Sequence, residues 1–125
     1  MAAGGAIVLN SSIGRSKGLP GNSVYAARKA GLRALARNLG AELVGCGIRV
    51  NSISPGPIET PIINRTQGLA AEDVPAALEM MREHVPMKRL GTPDEAARAV
   101  LFLASDGASF ITGIDIFVDG GLASF

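Results

Sequence analysis

This chain of 125 residues has no tryptophan, one tyrosine, one histidine and four phenylalanines, while glycine alone accounts for 16 positions. Scarce aromatics beside abundant Gly and Ala suit helices packed tightly on a sheet and argue against disorder. Cys46 is the sole cysteine. It excludes an intramolecular disulfide and a multi-cysteine metal site, and it accords with a reducing cytoplasm. His84 is equally alone, so a metal centre or a His-based triad would lack partners. Neither sign of charge dominates, with 12 Lys and Arg against 11 Asp and Glu. They are interleaved instead of forming a basic stripe, which argues against a nucleic-acid partner. No apolar run approaches the length of a membrane span, and "MAAGGAIVLN" lacks the basic start and the apolar length of a signal peptide. A soluble, cytoplasmic protein of one domain, with no membrane partner, is the expectation.

The elements that are present alternate in type. "GAIVLNSS" carries Ile7, Val8 and Leu9 unbroken, the pattern of a strand buried on both faces, placed near residues 6 to 11. "GRSKGLPGN" is a loop, and Ser23 is suited to cap the helix that follows. Leu32, Leu35, Leu39 and Leu43 recur at helical spacing and predict a stripe facing a sheet, with Gly45 and Gly47 stopping the helix. "GIRVNSIS" is again a strand, through Ile48, Val50 and Ile53, and the prolines of "PGPIETP" predict a loop from residue 54. Glu72 and Asp73 favour the start of a short helix with Val74, Leu78 and Met81 on one face, and Pro86 ends it. Thr92, Pro93 and Glu95 form a capping box with proline in the first helical position. Ile114, Ile116 and Val118 alternate before a Gly-Gly turn, giving a last strand.

The order β-α-β-(α)-α-β predicts an α/β fold with a doubly wound parallel sheet of about three strands. Ligands of such sheets gather at the C-terminal strand ends, here "NSSIG", "SPGPIET" and "VDGG". Tyr25 and Lys29, four residues apart, share a helix face. A positive charge beside a phenol favours the phenolate, which makes the pair a candidate general acid and base. Ser12, at the end of the first strand, can donate to an oxygen that gains negative charge. Taken one at a time, such a pair is an ordinary surface couple and such a serine an ordinary turn residue.

Four blocks in one order carry more information than any of them singly: "LNSSIG", "VYAARKAG", "GIRVNSISPGPIETP" and "RLGTPDEAARAVLFLASDGASFITGIDIFVDGG". Together they resemble the short-chain dehydrogenase/reductases over almost the whole chain. The resemblance implies a Rossmann-like fold, of which this would be the C-terminal half, and NAD- or NADP-dependent interconversion of an alcohol and a carbonyl. It further implies that Tyr25 transfers the proton, that Ser12 polarises the substrate oxygen, and that Lys29 holds the nicotinamide ribose hydroxyls and favours the Tyr25 phenolate. Pro55, Gly56, Ile58 and Thr60 would lie beneath the nicotinamide. Residues 61–90 would form a mobile substrate lid with Leu69, Leu78, Met80 and Met81 as apolar lining.

Two features depart from the family pattern. Arg28 stands where a small Ser or Thr is usual before the lysine. The glycine-rich pyrophosphate turn, the residue that selects NAD or NADP, and the asparagine of the proton relay are missing, and "AAGGA" precedes its strand instead of following one. The expectation is therefore a truncated chain, inactive alone, that forms homo-oligomers or pairs with a complementary or full-length relative through its open strand edge. The alternative is a non-enzymatic chain acting only as an interaction subunit. A serine hydrolase built on Ser12 is set aside, because "NSSIG" lacks the glycine two residues before the serine that a nucleophile elbow requires.

Overall fold

The computed structural model describes residues 4–13, 20–61 and 70–125. Strands β1 (Ala6–Asn10), β2 (Arg49–Pro55) and β3 (Asp115–Val118) form a parallel sheet in the order β1-β2-β3. Helix α1 (Ser23–Leu43) joins β1 to β2, and α2 (Val74–His84) and α3 (Pro93–Ala104) lie between β2 and β3. The α/β class and the parallel, three-stranded order therefore stand as expected. Pairing sets Ile7 beside Val50 and Ile53 beside Ile116.

Because side chains alternate along a strand, β1 and β2 each feed two cores. Ile7, Leu9 and Val50 pack with Ala36, Leu39 and Leu43 of α1. Val8, Ile53 and Ile116 pack with Ala99, Val100 and Leu103 of α3, and with Ala108 and Ile111 beyond it. That two-sided burial is why β1 reads as a near-continuous apolar run.

The helix stripe differs in one member from its sequence reading. Leu35 is exposed, whereas Ala36 and Gly40 are buried. At ~100° per residue Ala36 lies closer than Leu35 to the mean direction of Leu32, Leu39 and Leu43. Small residues at Ala36 and Gly40 let α1 approach closely, so that a Cβ on Gly40 would stand 3.6 Å from the backbone of Gly113.

The entry to α1 also differs. Ser23 is already the first helical residue, and Asn22 occupies the cap without a side-chain bond. A residue in helical conformation cannot turn its hydroxyl back onto the first amides, so Ser23 does not cap. At the other end a turn of 3-10 helix at Val44–Cys46 leads to Gly47, whose φ of 71° needs a residue without Cβ. The second strand continues two residues past the expected loop boundary, through Ser54 and Pro55, because Pro55 occupies an end position where no amide is required.

Helix α3 carries the capping box read from the sequence. Glu95 N–H donates to Thr92 Oγ1 at 3.3 Å and Thr92 N–H donates to Glu95 Oε2 at 2.9 Å. Its C-terminal end is held by Arg49, whose guanidinium donates to the carbonyls of Leu103 (2.8 Å) and Ser105 (3.0 Å), groups that the helix itself leaves unpaired. In α2 the expected helix forms after a 3-10 turn at Ala71–Asp73, with Leu78 and Met81 half-buried and Met80 64% exposed. Leu69 lies outside the described residues. No helix is long and apolar enough to cross a membrane, among the described residues.

Candidate active site

The C-terminal end of β1 and the first turns of α1 meet at Lys29. Its ammonium donates to the backbone carbonyl of Asn10, the last residue of β1, at 3.0 Å, and lies 5.8 Å from the centroid of the Tyr25 ring. The predicted pair is thus brought together at the C-terminal end of β1, not merely along a helix face. Tyr25 is 40% exposed, and its hydroxyl is bonded to no described residue. One of the three ammonium donors is used on Asn10, which leaves two for a ligand. Ser12, half-buried, follows directly on this strand end. Arg28, the departure from the family pattern, is exposed on α1.

Ser11 was not singled out by the sequence, yet it is the better-buried serine of the pair, at 3% exposure. Its amide donates to Ile53 O at 2.8 Å, extending the strand pairing, and its hydroxyl donates to the backbone carbonyl of Lys29 at 2.8 Å. Asn10 at the end of β1 and Ser11 just after it therefore grip one residue of α1, at the ammonium and at the carbonyl respectively. The only signal in the sequence was the second polar residue of "NSS".

The segment Pro55–Thr60 is held differently, by backbone. Gly56 N–H donates to Val118 O at 2.9 Å, Gly91 N–H to Pro57 O at 2.9 Å, and Glu59 N–H to Gly91 O at 2.8 Å. Ile58 is bridged to Gly91 in parallel. A Cβ on Gly56 would stand 2.6 Å from Asp119 Cβ and 3.3 Å from Ile13 Cδ1, so a glycine is demanded by the protein's own packing. Asp119 is itself fixed, its carboxylate accepting from the amides of Gly121 (2.9 Å) and Ala123 (2.8 Å). Thr60 is half-buried near the end of the described segment.

Gly91 connects this loop to the start of α3. Arg89 donates to both carboxylate oxygens of Glu95, at 2.9 and 2.6 Å. Those bonds, joined by the one from the Thr92 amide, hold the Glu95 carboxyl down at about 2. A cleft of about 310 Å³ lies on this side of the loop, lined by Pro57, Arg89, Glu95 and Gly120 among others. Neither Tyr25 nor Lys29 lines it, so the cleft is distinct from that pair.

A phenol beside an ammonium with spare donors fits the ribose and nicotinamide end of a dinucleotide. The chemistry of the donor set matches hydroxyl and carbonyl oxygens. Among the described residues no group of His, Cys, Asp or Glu is arranged to hold a metal ion.

A family model described as enoyl-(acyl carrier protein) reductase matches residues 1–123. A short-chain type dehydrogenase/reductase of Sinorhizobium fredii, named as uncharacterized, is 43% identical over 99% of this chain and 22% of its own length. The 3-oxoacyl-(acyl-carrier-protein) reductase of Thermotoga maritima is 43% identical over 94% of this chain and 45% of its own. Among solved structures, the ligand-free aldohexose dehydrogenase of Thermoplasma acidophilum superposes with a TM-score of 0.88 at 32% identity, covering 98% of this chain and 49% of that one. The chain spans about half the length, or less, of the curated relatives it matches. With its parallel sheet, its Tyr25–Lys29 pair at the strand ends and a family match that runs nearly from end to end, the chain belongs to the short-chain dehydrogenase/reductase family of oxidoreductases.

Proposed function

We propose that this chain supplies the proton-transfer end of an NAD- or NADP-dependent oxidoreductase that interconverts an alcohol and a carbonyl in the cytoplasm. The observation that carries the reading is the Lys29 ammonium, lodged between the Asn10 carbonyl and the Tyr25 ring at the C-terminal end of β1. The cofactor, when bound, gives or takes a hydride at the substrate carbon. Tyr25 would give or take the accompanying proton at the substrate oxygen, from a residue that is 40% exposed. Ser12 donates to the same oxygen and stabilises its developing charge. Lys29 turns its remaining donors to the ribose hydroxyls while Asn10 holds it in place. Pro55, Gly56, Ile58 and Thr60 would hold the nicotinamide, and the segment 61–90, of which 62–69 lie outside the described residues, would cover the substrate.

Groups for the pyrophosphate end of a dinucleotide are not among the described residues, so we assign those to further protein, either continuous with this chain or a separate copy of the fold. The outer edge of β1 pairs with no described strand and is where such a neighbour would add. The test is a titration with NADH and NADPH, followed by cofactor fluorescence, of the chain together with the protein that supplies the pyrophosphate groups, paired with turnover of Tyr25→Phe in the same assembly. Saturable binding and loss of turnover in the variant are expected. Absence of binding at millimolar cofactor would leave the reading of a non-enzymatic subunit.

A further inference from the structure

We infer that Ser11 is a positioning residue for Lys29, resting on the role just proposed for that lysine. Lys29 is held twice from one strand end, through its ammonium by Asn10 O and through its backbone by the Ser11 hydroxyl. The first contact alone would leave the ammonium on a long side chain free to follow the helix wherever it moved. The second fixes the helix. A helical carbonyl has two lone pairs, and the one not needed within the helix accepts the Ser11 hydroxyl at 2.8 Å.

Three features make this contact a constraint and not an incidental bond. Ser11 is buried, so water cannot replace the lost partner. Its own amide is tied to Ile53 O, so the hydroxyl is presented from a rigid strand end. The entry to α1 has no side-chain cap, so its first turns rely on such outside ties for their placement. Ser11 touches neither substrate nor cofactor in this assignment. It acts through Lys29, and through Lys29 on Tyr25, while Ser12 next to it faces the reaction.

Tyr25 is the only tyrosine and the chain has no tryptophan. Its fluorescence therefore reports one ring, and acrylamide quenching of that emission needs no cofactor. Ser11→Ala should raise the quenching constant, by about twofold for the loss of one neutral hydrogen bond. Turnover should fall about two- to tenfold, with KM for the substrate little changed, since binding groups are untouched. The discriminating measurement is the cycle with Lys29→Met. If Ser11 places the Lys29 ammonium, the Ser11→Ala effect on NAD(P)H affinity shrinks towards zero in the Lys29→Met background, whereas its effect on Tyr25 quenching, which follows the helix backbone, persists there. A loss of affinity of equal size in both backgrounds, or a quenching constant unchanged by Ser11→Ala, overturns the proposal. Should Ser11→Ala fail to fold by circular dichroism, Ser11→Cys keeps the volume with a weaker donor and enters the same cycle. A chain that binds no NAD(P)H would remove the proposed function but leave the quenching cycle with its own outcome.

Discussion

Two loops at the C-terminal end of the sheet are held by opposite means. At the end of β1 the ties are made by side chains, the Ser11 hydroxyl and the Lys29 ammonium, each reaching a backbone carbonyl. After β2 the ties are made by backbone amides, and the side chains that matter are missing ones, at Gly56 and Gly91. The first junction fails when atoms are deleted. The second fails when they are added.

The largest expected effect lies on the crowded side. Gly56→Ala would bring a methyl to 2.6 Å from Asp119 Cβ and 2.9 Å from its Cα. Since backbone must shift to relieve it, unfolding in denaturant should show a loss of about 1–3 kcal/mol. A stability equal to that of the parent chain would mean that this loop is not rigid. Lys29→Met comes next and cuts the side-chain junction. NAD(P)H binding by fluorescence titration should weaken by about tenfold or more, as for loss of a charged hydrogen bond, while secondary structure by circular dichroism is unchanged.

Gly91→Ala separates the two glycines. Its new methyl would stand 2.7 Å from Ile58 Cδ1, the far end of a flexible side chain, so Ile58 can rotate away. We expect a stability loss below about 1 kcal/mol, together with weaker cofactor binding, because Ile58 leaves its place. The smallest effect should come from Glu95→Gln, which loosens the Arg89 contact and the capping box from the solvent side. The Glu95 carboxyl is lowered from 4.5 to about 2 in the folded chain, so its contribution is fully present above 4.5 and disappears as pH falls towards 2. The parent melting temperature should therefore decline across that window, and the Gln variant's decline should be shallower. An identical decline would show that the pair contributes nothing measurable, as exposed ion pairs often do.

Much of the fold could be read without coordinates because its signals are local. The unbroken apolar run of Ile7, Val8 and Leu9 follows from burial on both faces, and the Thr92–Glu95 box follows from the geometry of one helical turn. Leu35 was misread for the converse reason. Leucine at helical spacing is a plausible core residue, but close packing of α1 on the sheet chose Ala36 and Gly40 for the contact. In the candidate site, Tyr25 and Lys29 were visible as a pair because four residues span one turn. Ser11 was not, because the carbonyl it seeks is 18 residues away, and neither was Asp119, whose pressure on Gly56 crosses more than half the chain.

The sequence by itself determined the alternation of strands and helices, the capped start of α3, and the shared face of Tyr25 and Lys29. Each depends only on backbone periodicity and on side chains within a turn or two of one another. The tertiary structure alone decided that Asn10 and Ser11 grip Lys29, that Asp119 requires Gly56, and that Gly91 braces Ile58. These contacts join residues distant in the chain, and their geometry exists only once both faces of the sheet have been packed.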